Sequence, residues 1–275
     1  MIHILTRQSL RAIACATLAL LLASCFVSDS LFERERIWDP AWFGRYEAEG
    51  VMFVVLPDDP AKHTYLIGEF DGEASKVDTY RAALYRGWNE VLILGHLTLG
   101  KSDTQAGYTL LRPLGANRFL SKWPDCNPEF AEHHRLTRDR DLCTFASLET
   151  LRAALKAYAD ENQKPATEDP KPLEHRRDHP LSTIGVTAQA GVFSDSEGVH
   201  GGLNLIDVPP TSPAAKAGLK KGDQIFAIGG PRPAIGEELL LRIAAATPGT
   251  TIAVTFFDGK THAKREVGVV TAPLE

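Results

Sequence analysis

Four kinds of residue in this chain have types or spacings that could do chemistry. Histidine comes first. His133 and His134 are adjacent, and Glu174-His-Arg-Arg-Asp-His179 sets His175 and His179 four apart, as two metal ligands on one helix would be. Pro172 and Pro180 bracket that second cluster, no third ligand is implied at either place, and such His/Arg/Asp mixtures suit a solvated linker. No metal and no cofactor is expected. Among carboxylates, Glu69 and Asp71 fall at a turn and read as surface charge rather than as a paired acid and base. Asp223 follows Gly222 as a turn-forming Asp does. No Gly-x-Ser-Gly-type segment offers a serine nucleophile. The cysteines, Cys15, Cys25, Cys126 and Cys143, contain nothing like Cys-x-x-Cys. The residues therefore point away from catalysis.

Composition bounds the partners. A chain of 275 residues suggests two domains. The formal charge is −5 and no Lys/Arg block is interleaved with aromatics, which excludes nucleic acid as the expected partner. Trp38, Trp42, Trp88 and Trp123 all precede residue 130, so two different cores are implied.

The most constrained stretch is Ser212-Pro-Ala-Ala-Lys-Ala-Gly-Leu-Lys-Lys-Gly-Asp-Gln-Ile-Phe-Ala-Ile-Gly-Gly230. Ser212 is a good N-cap and Pro213 suits the first helical position, where its missing N–H costs nothing. Gly218 ends the turn in a left-handed conformation and lets Leu219 fold back. The chain turns at Gly222-Asp223 and enters an apolar strand, 225–228, that stops at Gly229-Gly230. This segment resembles the signature of a PDZ domain, in the circularly permuted arrangement found after the protease domain of bacterial HtrA-type periplasmic proteases. The resemblance covers residues 181–270. Thr183-Ile-Gly-Val186 is similar to the family's carboxylate-binding loop, 236–246 to its groove helix, and Pro248 to Gly259 to its closing hairpin. Gly229, where the family often has Asn, and Phe257, where it often has a basic residue, depart from the pattern without touching the groove.

The resemblance implies a peptide added as an extra strand beside Val186-Thr-Ala-Gln189. Thr183, Ile184, Gly185, Val186 and Ala188 would hold one side of the groove, with the amides around Gly185 as a nest for a terminal carboxylate. Leu239, Leu240 and Ile243, with Ala244, would line the other wall. That helix is apolar around more than half its circumference, and a second apolar face is expected if it borders a groove. The alternative is that Ile184 and Val186 are ordinary core residues and the groove is vestigial.

At the N-terminus, Arg7 and Arg11 precede an apolar run, 12–22, too short to span a bilayer. Leu22-Ala-Ser-Cys25 follows and resembles the lipobox of bacterial lipoproteins, which implies a signal peptide over 1–24 and a lipid-carrying Cys25. An ordinary cleaved signal with a chance cysteine is the alternative. Phe26 stands where Asp would imply inner-membrane retention, so the expected location is the outer membrane, periplasmic face. With Cys15 removed and Cys25 lipidated, Cys126 and Cys143 are expected to pair in that oxidising compartment.

Residues 25–35 read as a tether and 36–160 as a β-rich domain. Its expected strands are 45–56, 64–70, 77–85, 91–97, 108–113 and 118–123, an antiparallel meander or small barrel. Ser147 should cap a helix carrying Leu148, Leu151, Leu155 and Tyr158 at helical spacing. Residues 161–180, charged and proline-rich, read as a linker. The expected class is α+β, and the expected role is a lipid-anchored envelope protein that docks partner C-termini or extended segments without catalysis. Two alternatives remain: a protease accessory or enzyme with its site in the β-rich part, and a barrel carrying an apolar ligand.

Overall fold

The computed structural model describes residues 26–28, 32–48, 50–70, 77–98, 106–115, 117–139, 142–161, 173–195, 198–230 and 233–274. The expected signal peptide, Cys25 and residues 162–172 of the expected linker lie outside them. In chain order the strands and helices are β1 (Phe26–Ser28), β2 (Gly44–Ala48), β3 (Val51–Asp59), β4 (Thr64–Phe70), β5 (Val77–Arg86), β6 (Leu92–Thr98), β7 (Ala106–Pro113) and β8 (Arg118–Lys122). Then come α1 (Pro128–His133), β9 (Thr137–Asp139), β10 (Leu142–Thr144), α2 (Leu148–Glu161), β11 (Leu173–His179), β12 (Ser182–Thr183), β13 (Thr187–Asp195) and β14 (Gly198–Asp207). The chain closes with α3 (Pro213–Lys216), β15 (Gln224–Ile228), α4 (Gly236–Ala245), β16 (Thr251–Phe257), β17 (Lys264–Val270) and β18 (Ala272–Pro273). The class is α+β, mostly antiparallel strand with a curled N-terminal sheet.

Two compact units divide the chain. One takes the described residues up to Trp38, with Asp59–Thr64 and Arg81–Glu174. In it β7 pairs antiparallel with β6 along one edge and with β8 and β1 along the other. β10 runs parallel to β1, placing Cys143 beside Phe26. The described residues 26–28 and 32–35, expected as part of a tether, are thus built into the fold. Phe26 is fully buried, its ring within 6.0 Å of those of Phe130, Phe145 and Tyr158, and Phe32 stacks on Tyr108. An apolar ring that fills a core is worth more there than in a solvated spacer. The helix α2 starts as expected: Ser147 Oγ accepts from Thr150 N at 3.2 Å, and Leu148, Leu151, Leu155 and Tyr158 are all buried in the same core. Cys126 and Cys143 are joined, as expected, with Cα atoms 5.7 Å apart, a loop closure worth about 3 kcal/mol in the chain-entropy account.

Also in this unit, His96 is buried on β6, edge-on to Trp123 at 5.2 Å. Burial penalises the imidazolium and lowers its pKa to about 4. The unfolded chain takes up the proton near pH 6.5 and the folded one only near 4. Stability is therefore intact above pH 6.5, falls as pH drops through that window, and levels off below it. The loss is on the order of 3 kcal/mol. Urea midpoints measured between pH 7 and 4 should show it, and His96→Phe should flatten the profile; an unchanged pH dependence would contradict the assignment.

The second unit takes Asp39–Asp58, Tyr65–Tyr80 and His175–Glu275. Its strands β11, β2, β3 and β4 lie side by side. The stretch 45–56, expected as one strand, is a hairpin, because Gly50 takes a left-handed φ of 82° and reverses the chain between β2 and β3. Within the stretch expected as a linker, β11 pairs with β2. Residues 175 and 179 therefore sit in a strand, where four residues span about 13 Å. The guanidinium of Arg177 ties β11 to the chain around β2, donating to the carbonyls of Ala41 and Phe43 and, at 3.0 Å, to Tyr46 Oη. The same unit contains a five-stranded antiparallel sheet ordered β13-β14-β15-β16-β17 and the short pair β12-β18. Its core gathers Ile184, Leu203, Leu205, Ile225, Leu239, Ile243, Val254 and Val269.

Candidate peptide-binding groove

The 212–230 stretch folds as its stereochemistry requires. Ser212 Oγ accepts from Ala215 N at 3.1 Å, Pro213 opens α3, Gly218 has φ 96°, and Leu219 N donates to Ala214 O with its side chain buried. Asp223 is buried, and its carboxylate accepts from Lys220 N at 2.8 Å and Gly259 N at 3.0 Å. It ties the turn before β15 to the hairpin between β16 and β17, a structural task that leaves no acid free for chemistry. At Asp258 two amides of its own turn, those of Thr261 and Lys260, hold the carboxyl at about 2.

The loop 183–186 sits against the start of α3. Gly185 has φ 70°, and a Cβ there would lie 2.9 Å from Ser212 Cβ and 3.2 Å from Pro213 Cδ. Glycine is needed for both its φ and its room. Ile184 O accepts from Ala214 N, which fixes the loop to the helix. The expected nest is modified in one respect: Gly185 N already donates to Thr183 Oγ1 at 2.9 Å, because the hydroxyl reaches two residues on, as in an ST turn. Thr183 itself lies on β12, paired with Ala272 of β18.

β13 follows the loop and is an end strand: β14 pairs with one edge, and no described strand pairs with the other. Above it runs α4. Gly236 packs so closely that a Cβ would meet Ala190 Cβ at 2.7 Å. Ile184, Leu239 and Ile243 are buried in the core, while Val186 and Ala188 pack against it half-buried. Leu240, one position round the helix, is 37% exposed. Five of the expected groove residues, Ile184, Val186, Ala188, Leu239 and Ile243, thus share one apolar cluster, with Val186 and Ala188 as its half-buried margin, while Leu240 stands exposed on the same helix.

The second apolar face of α4 has a different cause from the one expected. Leu241, Ala244 and Ala245 are buried against Val54, Leu56, Leu66, Phe70 and Leu181. Leu241 Cδ1 lies 2.8 Å from where a Cβ on Gly68 would stand. The helix end is held as well, since Arg45 Nη1 donates to Ala245 O at 2.6 Å and Ser182 Oγ to Ala246 O at 2.7 Å, satisfying carbonyls that a helix leaves orphaned. Sequence reasoning missed Arg45 and the β3/β4 surface. The excess apolar character of α4 was the one available signal.

Residues 183–269 match the PDZ domain family. No curated protein sequence matches the chain. Among solved structures, the HtrA-type protease AlgW with decapeptide is 14% identical with a TM-score of 0.30, over 83% of this chain and 81% of that one. The serine endoprotease from Yersinia pestis is 15% identical with a TM-score of 0.29, over 94% and 98%. Likeness at that level carries no conclusion about activity. The loop, the end strand and the helix that borders it, together with the family match, identify residues 183–269 as a PDZ domain.

Proposed function

We propose that this protein is a non-catalytic, lipid-anchored envelope protein whose PDZ domain captures the C-terminus or an exposed extended segment of another envelope protein. The observation that carries the reading is the edge of β13 that no described strand pairs with, beside a half-buried apolar margin and entered through a glycine loop. A guest backbone would continue the ladder at 187–189, its terminal carboxylate would meet the amides that follow Gly185, and its last side chain would rest on Val186, Ala188 and Leu240. Thr183 would tune the loop by holding the Gly185 amide in place. Anchoring through Cys25 would present this edge to the periplasm from the outer membrane, in the compartment that suits the Cys126–Cys143 bond.

The test is a screen of the intact protein against short peptides with free and amidated C-termini. Free-acid peptides ending in an apolar residue should bind. Gly185→Leu should reduce affinity at least tenfold, since leucine is strained at that φ by about 1–2 kcal/mol and collides with Ser212. Because that variant disturbs the α3 contact, Leu240→Asp gives a second readout on an exposed position. Peptide binding that survives both changes would sink the proposal.

A further inference from the structure

We propose that His133, His134 and Glu161 form a binding site for a divalent transition-metal ion of the zinc class. Each offers one donor atom, and the three atoms lie within 4.8 Å of one another. His134 Nε2 and Glu161 Oε1 are 2.6 Å apart, and the two imidazoles stand edge-on with centroids 4.8 Å apart. The adjacent histidines alone implied no third ligand, because the third comes from another helix.

Helical periodicity explains why they meet. Phe130 of α1 packs on Tyr158 of α2 at 5.7 Å. His133 and His134 follow Phe130 by three and four residues, and Glu161 follows Tyr158 by three, so each lies one turn beyond a residue already in contact. The scaffold is firm. Cys126, two residues before α1, is bonded to Cys143; Asn127 Oδ1 caps α1 by accepting from Phe130 N at 2.8 Å. The His134 ring rests on the Phe130 ring at 4.4 Å, and His134 N donates to Phe130 O, which restricts the imidazole as second-shell contacts restrict ligands.

The donor set selects the ion. Two imidazoles and a carboxylate, without thiolate, suit zinc, copper or nickel rather than the oxygen-seeking calcium or magnesium. Zinc holds such donors at about 2.0–2.2 Å, which places them roughly 3.5 Å apart in a tetrahedron. Opening the His134–Glu161 pair and drawing in His133 by about one ångström through side-chain rotation meets that geometry. His133 and Glu161 are exposed and His134 half-buried, so solvent can supply the remaining coordination position. Glu161 also closes the 14-residue α2, whose negative dipole end favours a cation.

The experiment is a titration of chelator-stripped intact protein with zinc chloride against a chromophoric competitor. One zinc per chain is expected. His134→Ala and Glu161→Gln should each weaken binding at least about tenfold, the loss known for disturbing even outer-shell partners. His262→Asn, at an exposed histidine elsewhere, should leave it unchanged. Zinc should also raise the melting temperature of the wild type and not of Glu161→Gln, a readout that keeps misfolding and loss of a ligand apart. Absence of stoichiometric binding at micromolar zinc, or binding by both variants as tight as that of the wild type, would overturn the assignment.

Discussion

Replacing Phe26 with alanine is expected to lower stability by about 3–5 kcal/mol, the range for removing a fully buried aromatic ring. The ring is fully buried and packs on Phe130, Phe145 and Tyr158, and β1 is wedged between β7 and β10. Its removal leaves a hole lined by groups that the disulfide and α2 hold in place, so the site collapses poorly. Urea denaturation of the purified variant measures the loss. A change within about 0.5 kcal/mol, the range of surface substitutions, would mean that residues 26–28 are a spacer after all.

Leu241→Ala should cost a similar amount, about 3–5 kcal/mol, and should weaken peptide binding as well. Leu241 is fully buried in the cluster that backs α4, touching the position of Gly68 among Val54, Leu66 and Phe70. The substitution leaves every groove-facing residue in place. Its effect on affinity would come from a helix no longer held at the spacing the guest needs. Leu240→Asp is the counterpart: exposed, it should change stability by less than about 0.5 kcal/mol while reducing affinity. If Leu241→Ala leaves stability unchanged, the packing assigned to the second face of α4 is wrong.

How far the sequence revealed this arrangement depended on whether the controlling interaction was local. Ser212, Pro213 and Gly218 act through backbone stereochemistry within a few residues, and each does what its type and spacing predict. The Ser147 cap and the α2 stripe are legible for the same reason. Arg45 capping α4 through Ala245 joins residues 200 apart, and no local pattern announces such a bond. Phe26 looked like part of a polar spacer because its neighbours are small or polar, whereas its partners lie beyond residue 100. Glu161 escaped notice beside His133 and His134 because a metal pattern read along one segment cannot include a ligand from another helix. The breadth of the apolar surface on α4 was visible, but two kinds of neighbour explain such breadth equally well, and only the packing of β3 and β4 decides between them.

The most direct measurement is amide hydrogen exchange of the intact protein with and without a bound free-acid peptide. Slowed exchange confined to 186–189, lost on amidating the peptide or in Gly185→Leu, is the predicted result. Binding that leaves those amides unprotected, or protects another edge instead, would contradict the β13 edge as the site of recognition.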